Sequence, residues 1–156
     1  MKKLLFITAL CGITVFSAQN GMSQSKRKLS KPAAEWKKIL TPDQYEIMVE
    51  SGTEPSYKNA YWNNHQKGVY VSAATGDVLF SSDDKYDSHT GWPSFVKPVD
   101  PDKIAIVRDN SLGMTRDEVI EKSTGLHLGH VFDDGPADRG GKRYCMNSGA
   151  LKFIKK

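Results

Sequence analysis

His127, His130, Asp133, Asp134, Arg143 and Cys145 fall within twenty positions of one another, and Asn147 follows closely. Cysteine is a strong nucleophile, but only as the thiolate. Histidine can deliver or take a proton near neutral pH. Arg143 precedes Cys145 by two residues, so on a strand both side chains leave the same face, where the guanidinium would lower the thiol pKa. Cys145 is therefore the candidate nucleophile. A bland reading stands beside it, because a free cysteine is often inert core. His127 and His130 are three apart and point to opposite faces of a regular strand. A backbone irregularity, at Gly129 for instance, is needed for both to line one pocket. Asp133 and Asp134 precede Gly135-Pro136 and also suit a turn. Arg143 could instead pair with a surface carboxylate.

The surrounding pattern is that of a mainly β chain. Val69-Tyr70-Val71 and Val78-Leu79-Phe80 flank Ala74-Thr75-Gly76-Asp77 and read as a hairpin. Glu118-Val119-Ile120-Glu121 and Leu126 to Phe132 flank Lys122-Ser123-Thr124-Gly125 and read as a second. Ile104 to Val107 is a further strand, and Lys142–Met146 with Ala150–Ile154 look like a closing pair. Gly91-Trp92-Pro93-Ser94-Phe95 reads as a stiff loop presenting two aromatics, since Pro93 restrains itself and Trp92. It is either a packed corner or an apolar binding wall. Tyr86-Asp87-Ser88 would fix that loop, and His89 could reach the pocket mouth. Upstream, Ala33, Trp36, Ile39 and Leu40 have helical spacing. Thr41-Pro42-Asp43-Gln44 has the form of a capping box opening a second helix, which should reach about Glu50 and stop at Gly52. The expected fold is antiparallel sheets in a barrel- or tent-like core with two short N-terminal helices.

The first residues have another character. Lys2-Lys3, the apolar run Leu4 to Phe16 and Ser17-Ala18 form the pattern of a secretory signal, residues 1–18. The run is too short for a permanent span, which takes about 20 residues. Lipidation at Cys11 is disfavoured, because Leu10 stands where a small residue is expected. Loss of Cys11 with the signal leaves Cys145 as the one thiol, so no internal disulfide can form. An exported location follows. Residues 19–30 read as a flexible polar tail and 31–156 as one domain, whose size suggests a monomer. Net charge is +4, or +2 once Lys2 and Lys3 leave, which does not argue for nucleic acid. Lys26-Arg27-Lys28 reads as a solvated stretch.

Five strings together are more specific than any one motif. They are Gly52-Thr53-Glu54-Pro55; Tyr86-Asp87-Ser88; Gly91 to Phe95; His127-Leu128-Gly129-His130-Val131-Phe132-Asp133-Asp134-Gly135-Pro136; and Arg143-Tyr144-Cys145-Met146-Asn147-Ser148 with Ala150-Leu151-Lys152-Phe153. Over roughly Leu40 to Phe153 the chain resembles the B-type methionine sulfoxide reductases, which reduce the R epimer. The resemblance implies that Cys145, His130, His127 and Asn147 are catalytic and that Trp92, Phe132, Asp134 and Arg143 bind substrate. Many members also carry two Cys-x-x-Cys pairs that hold zinc. Here those positions are Ser72, Thr75, Glu121 and Thr124, so no metal or other cofactor is expected, and packing should hold the hairpins. Thr90 stands where many members have a resolving cysteine.

The implied chemistry is attack of Cys145 on the sulfoxide sulfur, with His130 and His127 handling the proton. The resulting sulfenic acid must then meet an external thiol such as a thioredoxin-like protein. The substrates would be oxidised methionines in proteins or peptides. A catalytically silent methionine-peptide binding module and a cysteine redox sensor remain alternatives on the same scaffold.

Overall fold

The computed structural model describes residues 27–156. The signal pattern, Cys11 and most of the polar stretch lie outside them. Among the described residues two seven-residue helices come first, α1 (Ala33–Ile39) and α2 (Pro42–Met48). The expected capping box is formed at α2: Thr41 Oγ1 accepts from Gln44 N at 3.3 Å, and Gln44 Oε1 accepts from Thr41 N at 3.1 Å. Two details differ from expectation. In α1 only Trp36 is buried, and Ile39 faces solvent. The left-handed residue after α2 is Ser51, not Gly52.

Nine strands follow, in two antiparallel sheets. The first is β2 (Val78–Ser81), β1 (Gly68–Ser72) and β9 (Leu151–Lys155), in that spatial order. The second runs β3 (Lys85–Tyr86), β4 (Ser94–Phe95), β8 (Arg143–Met146), β7 (His127–Phe132), β6 (Arg116–Glu121) and β5 (Ile104–Asp109). Both predicted hairpins are present, and the sheets do not close into a barrel. The expected closing pair is not formed. β8 lies between β4 and β7, whereas β9 pairs with β1 in the other sheet. Ser148–Ala150, one turn of 3-10 helix, carries the chain from one sheet to the other.

Aromatic side chains fill the space between the sheets. Phe80 and Phe95 stack with centroids 4.5 Å apart, and Tyr70 meets Phe95 edge-on at 5.0 Å. Phe95 is thus core and forms part of β4. Of the two aromatics in the Gly-Trp-Pro segment, only Trp92 stays partly exposed. Trp36, Leu40, Ile47 and Met48 bring the helices onto the same core.

The two hairpin tips meet at a buried carboxylate. Glu121 accepts from Thr75 Oγ1 at 2.5 Å and from Thr124 Oγ1 at 2.6 Å. Ser72 Oγ accepts from Ala74 N and Thr75 N at 3.2 and 3.3 Å. Directed hydrogen bonds, rather than packing alone, join the tips.

Phe95→Ala should destabilise the chain by about 3–5 kcal/mol, the usual cost of emptying a buried phenylalanine site. Urea unfolding of the variant against the parent checks this.

Candidate active site

Cys145 lies near the end of β8, between two strands. Ser94 on β4 is its register partner on one side and His130 on β7 its partner on the other. That places an imidazole next to the thiol in the sheet. β7 has an irregularity that sets the phase of its histidines. Val119 pairs with Gly129, but the next residue of β6, Ile120, pairs with His127. Leu128 is therefore an extra residue, a β-bulge, which turns His127 to the face that carries His130. The two rings have centroids 5.3 Å apart. The irregularity anticipated near Gly129 is centred one residue earlier. Gly129 serves a different need: a Cβ there would lie 2.1 Å from the Cys145 carbonyl oxygen, so β8 can approach only glycine this closely.

A pocket of about 140 Å³ opens over the sulfur. Thr53, Trp92, Arg116, Gly129, His130, Phe132, Cys145, Met146 and Asn147 line it. The indole of Trp92 is fixed by donation from its Nε1–H to the Glu54 carbonyl at 3.0 Å. Asn147 is buried, with Oδ1 accepting from Glu54 N and Nδ2 donating to Leu128 O, both at 3.3 Å. It ties the Trp92 support to β7. The Glu54 carboxylate accepts from the backbone N–H groups of Ser148 and Gly149 just after the cysteine. Burial pushes the Glu54 pKa up, against these hydrogen bonds.

His127, Asp134 and Arg143 do not line the pocket. His127 lies behind it, 1% exposed, with Nδ1 at 2.7 Å from a Glu118 carboxylate oxygen. Arg143 binds Asp134 through Nε and Nη2, both at 2.8 Å, and its guanidinium lies 4.3 Å above the Phe132 ring. Asp134 is largely exposed, and the Arg143 hydrogen bonds hold its carboxyl below the usual range. It orients Arg143. His89 is exposed and is not among the residues that line the pocket.

Three residues around the site carried no signal in the linear pattern: Asp109, Arg116 and Glu118. His130 Nε2 lies 3.0 Å from Asp109, which also accepts from Arg116 at 2.7 Å and from Ser111 N at 2.9 Å. Burial alone would raise the Asp109 pKa, but bonds from His130 and Ser111 and the Arg116 charge hold it far below the carboxylate range. An ionised Asp109 can only accept, so the proton between them sits on His130 Nε2 and leaves Nδ1 as the basic atom. Only cross-strand register, β5 on β6 and β6 on β7, assembles this group.

The thiol differs from the sequence expectation. Burial pushes the Cys145 pKa up, and Arg143 with the hydroxyls of Thr90 and Ser94 opposes that shift without reversing it. Burial also depresses the His130 pKa, against the Asp109 hydrogen bond. The resting pair at neutral pH is therefore a thiol beside an uncharged imidazole, not a thiolate beside an imidazolium.

The zinc positions of related chains offer a poor metal site here. Glu121 is the one ionisable group of the four, and both of its oxygens are engaged by threonine hydroxyls. Among the described residues no cluster of three or more His, Cys, Asp or Glu converges on a common point.

Alkylation of Cys145 by iodoacetamide should rise with pH through a midpoint above the ordinary thiol value of 9.0. Arg143→Ala should slow it further at pH 8, since a cation that favours the thiolate is lost. A midpoint at or below that of a free thiol contradicts the burial argument.

A family model for the SelR domain matches residues 40–155, the span that holds every residue lining this pocket. The chain belongs to that family, the B-type methionine-R-sulfoxide reductases.

Proposed function

We propose that the chain reduces the R epimer of methionine sulfoxide, in proteins or peptides, with Cys145 as nucleophile. The observation that carries this reading is the meeting of Cys145, His130 and Trp92 in one small, largely apolar pocket. The volume suits a side-chain tip rather than a large cofactor, and the Trp92 ring offers a wall for a methyl group.

The step balances without an outside proton. Cys145 Sγ attacks the sulfoxide sulfur while its proton passes, through His130 Nδ1, to the sulfoxide oxygen. The S–O bond of the substrate breaks and oxygen ends on Cys145 as a sulfenic acid. The substrate sulfur is reduced by two electrons and the cysteine sulfur is oxidised by two. A thiol that keeps its proton until substrate arrives fits this sequence, because the same group supplies nucleophile and proton. An external thiol then forms a mixed disulfide with loss of water, and a second thiol releases Cys145. The Thr90 hydroxyl is near enough to favour the Cys145 thiolate, so a cysteine at that position would be within reach of it. We extend the reading to a zinc-free monomer, exported by its N-terminal signal and recycled by a thioredoxin-like dithiol. A sensor role fits the pocket less well, because sensor thiols have lowered pKa values.

With dithiothreitol and each epimer of N-acetyl methionine sulfoxide, many turnovers of the R epimer alone are expected. One equivalent of product, or none, overturns the proposal in favour of a sensor or binder. Cys145→Ser should abolish turnover. Trp92→Ala should lower kcat/KM by about 10²-fold, the scale of lost substrate positioning. Thr90→Cys should create an internal disulfide with Cys145 after a single sulfoxide turnover, seen as a loss of two mass units relative to the reduced protein; absence of that bond would remove Thr90 from the recycling position.

A further inference from the structure

Arg27 precedes the residues matched by the family, and the sequence pattern gave it to a solvated stretch. It is instead buried, its side chain 5% exposed. Nη1 lies 2.6 Å from Glu118 Oε1, the same oxygen that meets His127 Nδ1 at 2.7 Å. Nη1 also donates to Ser51 Oγ. Nη2 donates to the carbonyls of Val49 at 2.6 Å and Met48 at 3.2 Å, the free end of α2. The chain around it is held as closely. Ser30 N donates to Thr124 O at 2.8 Å, and the Lys28 carbonyl passes so near Gly125 that a Cβ there would lie 2.3 Å away. Residues 27–30 are a docked strap across the β6–β7 turn, not a loose tail.

We infer that Arg27 is a positioning residue for the histidine pair: by holding and neutralising Glu118 it fixes the His127 ring, against which His130 is packed. The carboxylate of Glu118 is 2% exposed at its side chain, so its charge must be balanced within the protein. Arg27 places a cation on the same oxygen that His127 Nδ1 meets. His127 Nε2 is buried without a hydrogen-bond partner among the described residues. A lone pair tolerates that position, whereas a charged N–H would be left unsatisfied. Removal of Arg27 takes the guanidinium from the oxygen that holds His127 Nδ1, and so loosens the ring that packs 5.3 Å from the His130 ring. Outer partners of this kind commonly matter to a site almost as much as the groups they orient.

The kinetic arm of the test rests on the proposed reductase activity; the spectroscopic arm does not. Full-length Arg27→Ala, Arg27→Lys and the parent are compared by histidine-ring ¹⁵N–¹H correlation spectra and by steady-state turnover of the R sulfoxide. In Arg27→Ala the His127 ring signals should move, and kcat should fall roughly tenfold while KM stays within about twofold. Arg27→Lys, which keeps the charge, should recover part of both. Wild-type ring signals and kcat in folded Arg27→Ala overturn the inference. So does an equal kcat loss in both variants with the His127 signals unmoved, which would mark the strap as a support for the fold alone. Glu118→Gln decides the matter if Arg27→Ala does not fold, since unmoved His127 signals there overturn it as well. A parent that reduces no sulfoxide defeats the activity reading, while the ring spectra still decide the role of Arg27.

Discussion

The pairing of β7 with β8 sets His130 directly across from Cys145, and most of the site is built outward from that pairing. Two local features make it possible. Gly129 has no side chain, so the backbone of β8 can come close enough for the ladder to form. The extra residue at Leu128 shifts the phase of the strand, so that His127 backs His130 instead of pointing into the opposite layer. Once that register is set, β6 and β5 bring Glu118, Arg116 and Asp109 to the histidines from the far side. Trp92 arrives from the near side, where Pro93 O accepts from Met146 N at 3.0 Å and β4 flanks β8.

Charge in this region comes in bound pairs. Arg143 holds Asp134, Arg116 holds Asp109 and Arg27 holds Glu118. The last two are largely buried, and such pairs are costly to assemble and add little net stability, so orientation is what they contribute. Between them sit the thiol and the imidazole, and burial pushes their pKa values in opposite directions, up for Cys145 and down for His130. On the proposed reading, burial keeps both groups uncharged until a substrate with a basic oxygen enters. The cost is a less reactive resting thiol. The gain is selectivity, because general electrophiles and oxidants meet a protonated sulfur.

Local signals were legible in the sequence. The α2 capping box, both hairpins and the Cys145–Arg143 spacing depend on residues a few positions apart, and the structure has each of them. The failures share a cause in long-range contact. Lys142–Met146 and Ala150–Ile154 are neighbours in the chain, yet a single 3-10 turn sends them to different sheets. Trp92 and Phe95 both look fit for an exposed wall, but Trp92 sits in the bend before β4 and stays partly exposed, while Phe95 is held in β4 and goes to the core. The ring partners Asp109 and Glu118 are ordinary charged strand residues until register brings them to the histidines. Arg27 reads as part of a basic run because nothing nearby in sequence shows the carboxylate waiting for it.

The joint between the two hairpin tips has a consequence of its own. Glu121, Thr75 and Thr124 hold it with a carboxylate and two alcohols, groups that peroxide and hypochlorite leave untouched and that a chelator cannot strip. Sulfur ligands at the same corner would be consumed by the very agents that damage methionine. The sulfurs of the exposed Met114 and of Cys145 in its pocket stay open to such agents, while the Glu121 corner that joins the two hairpin tips is inert to them.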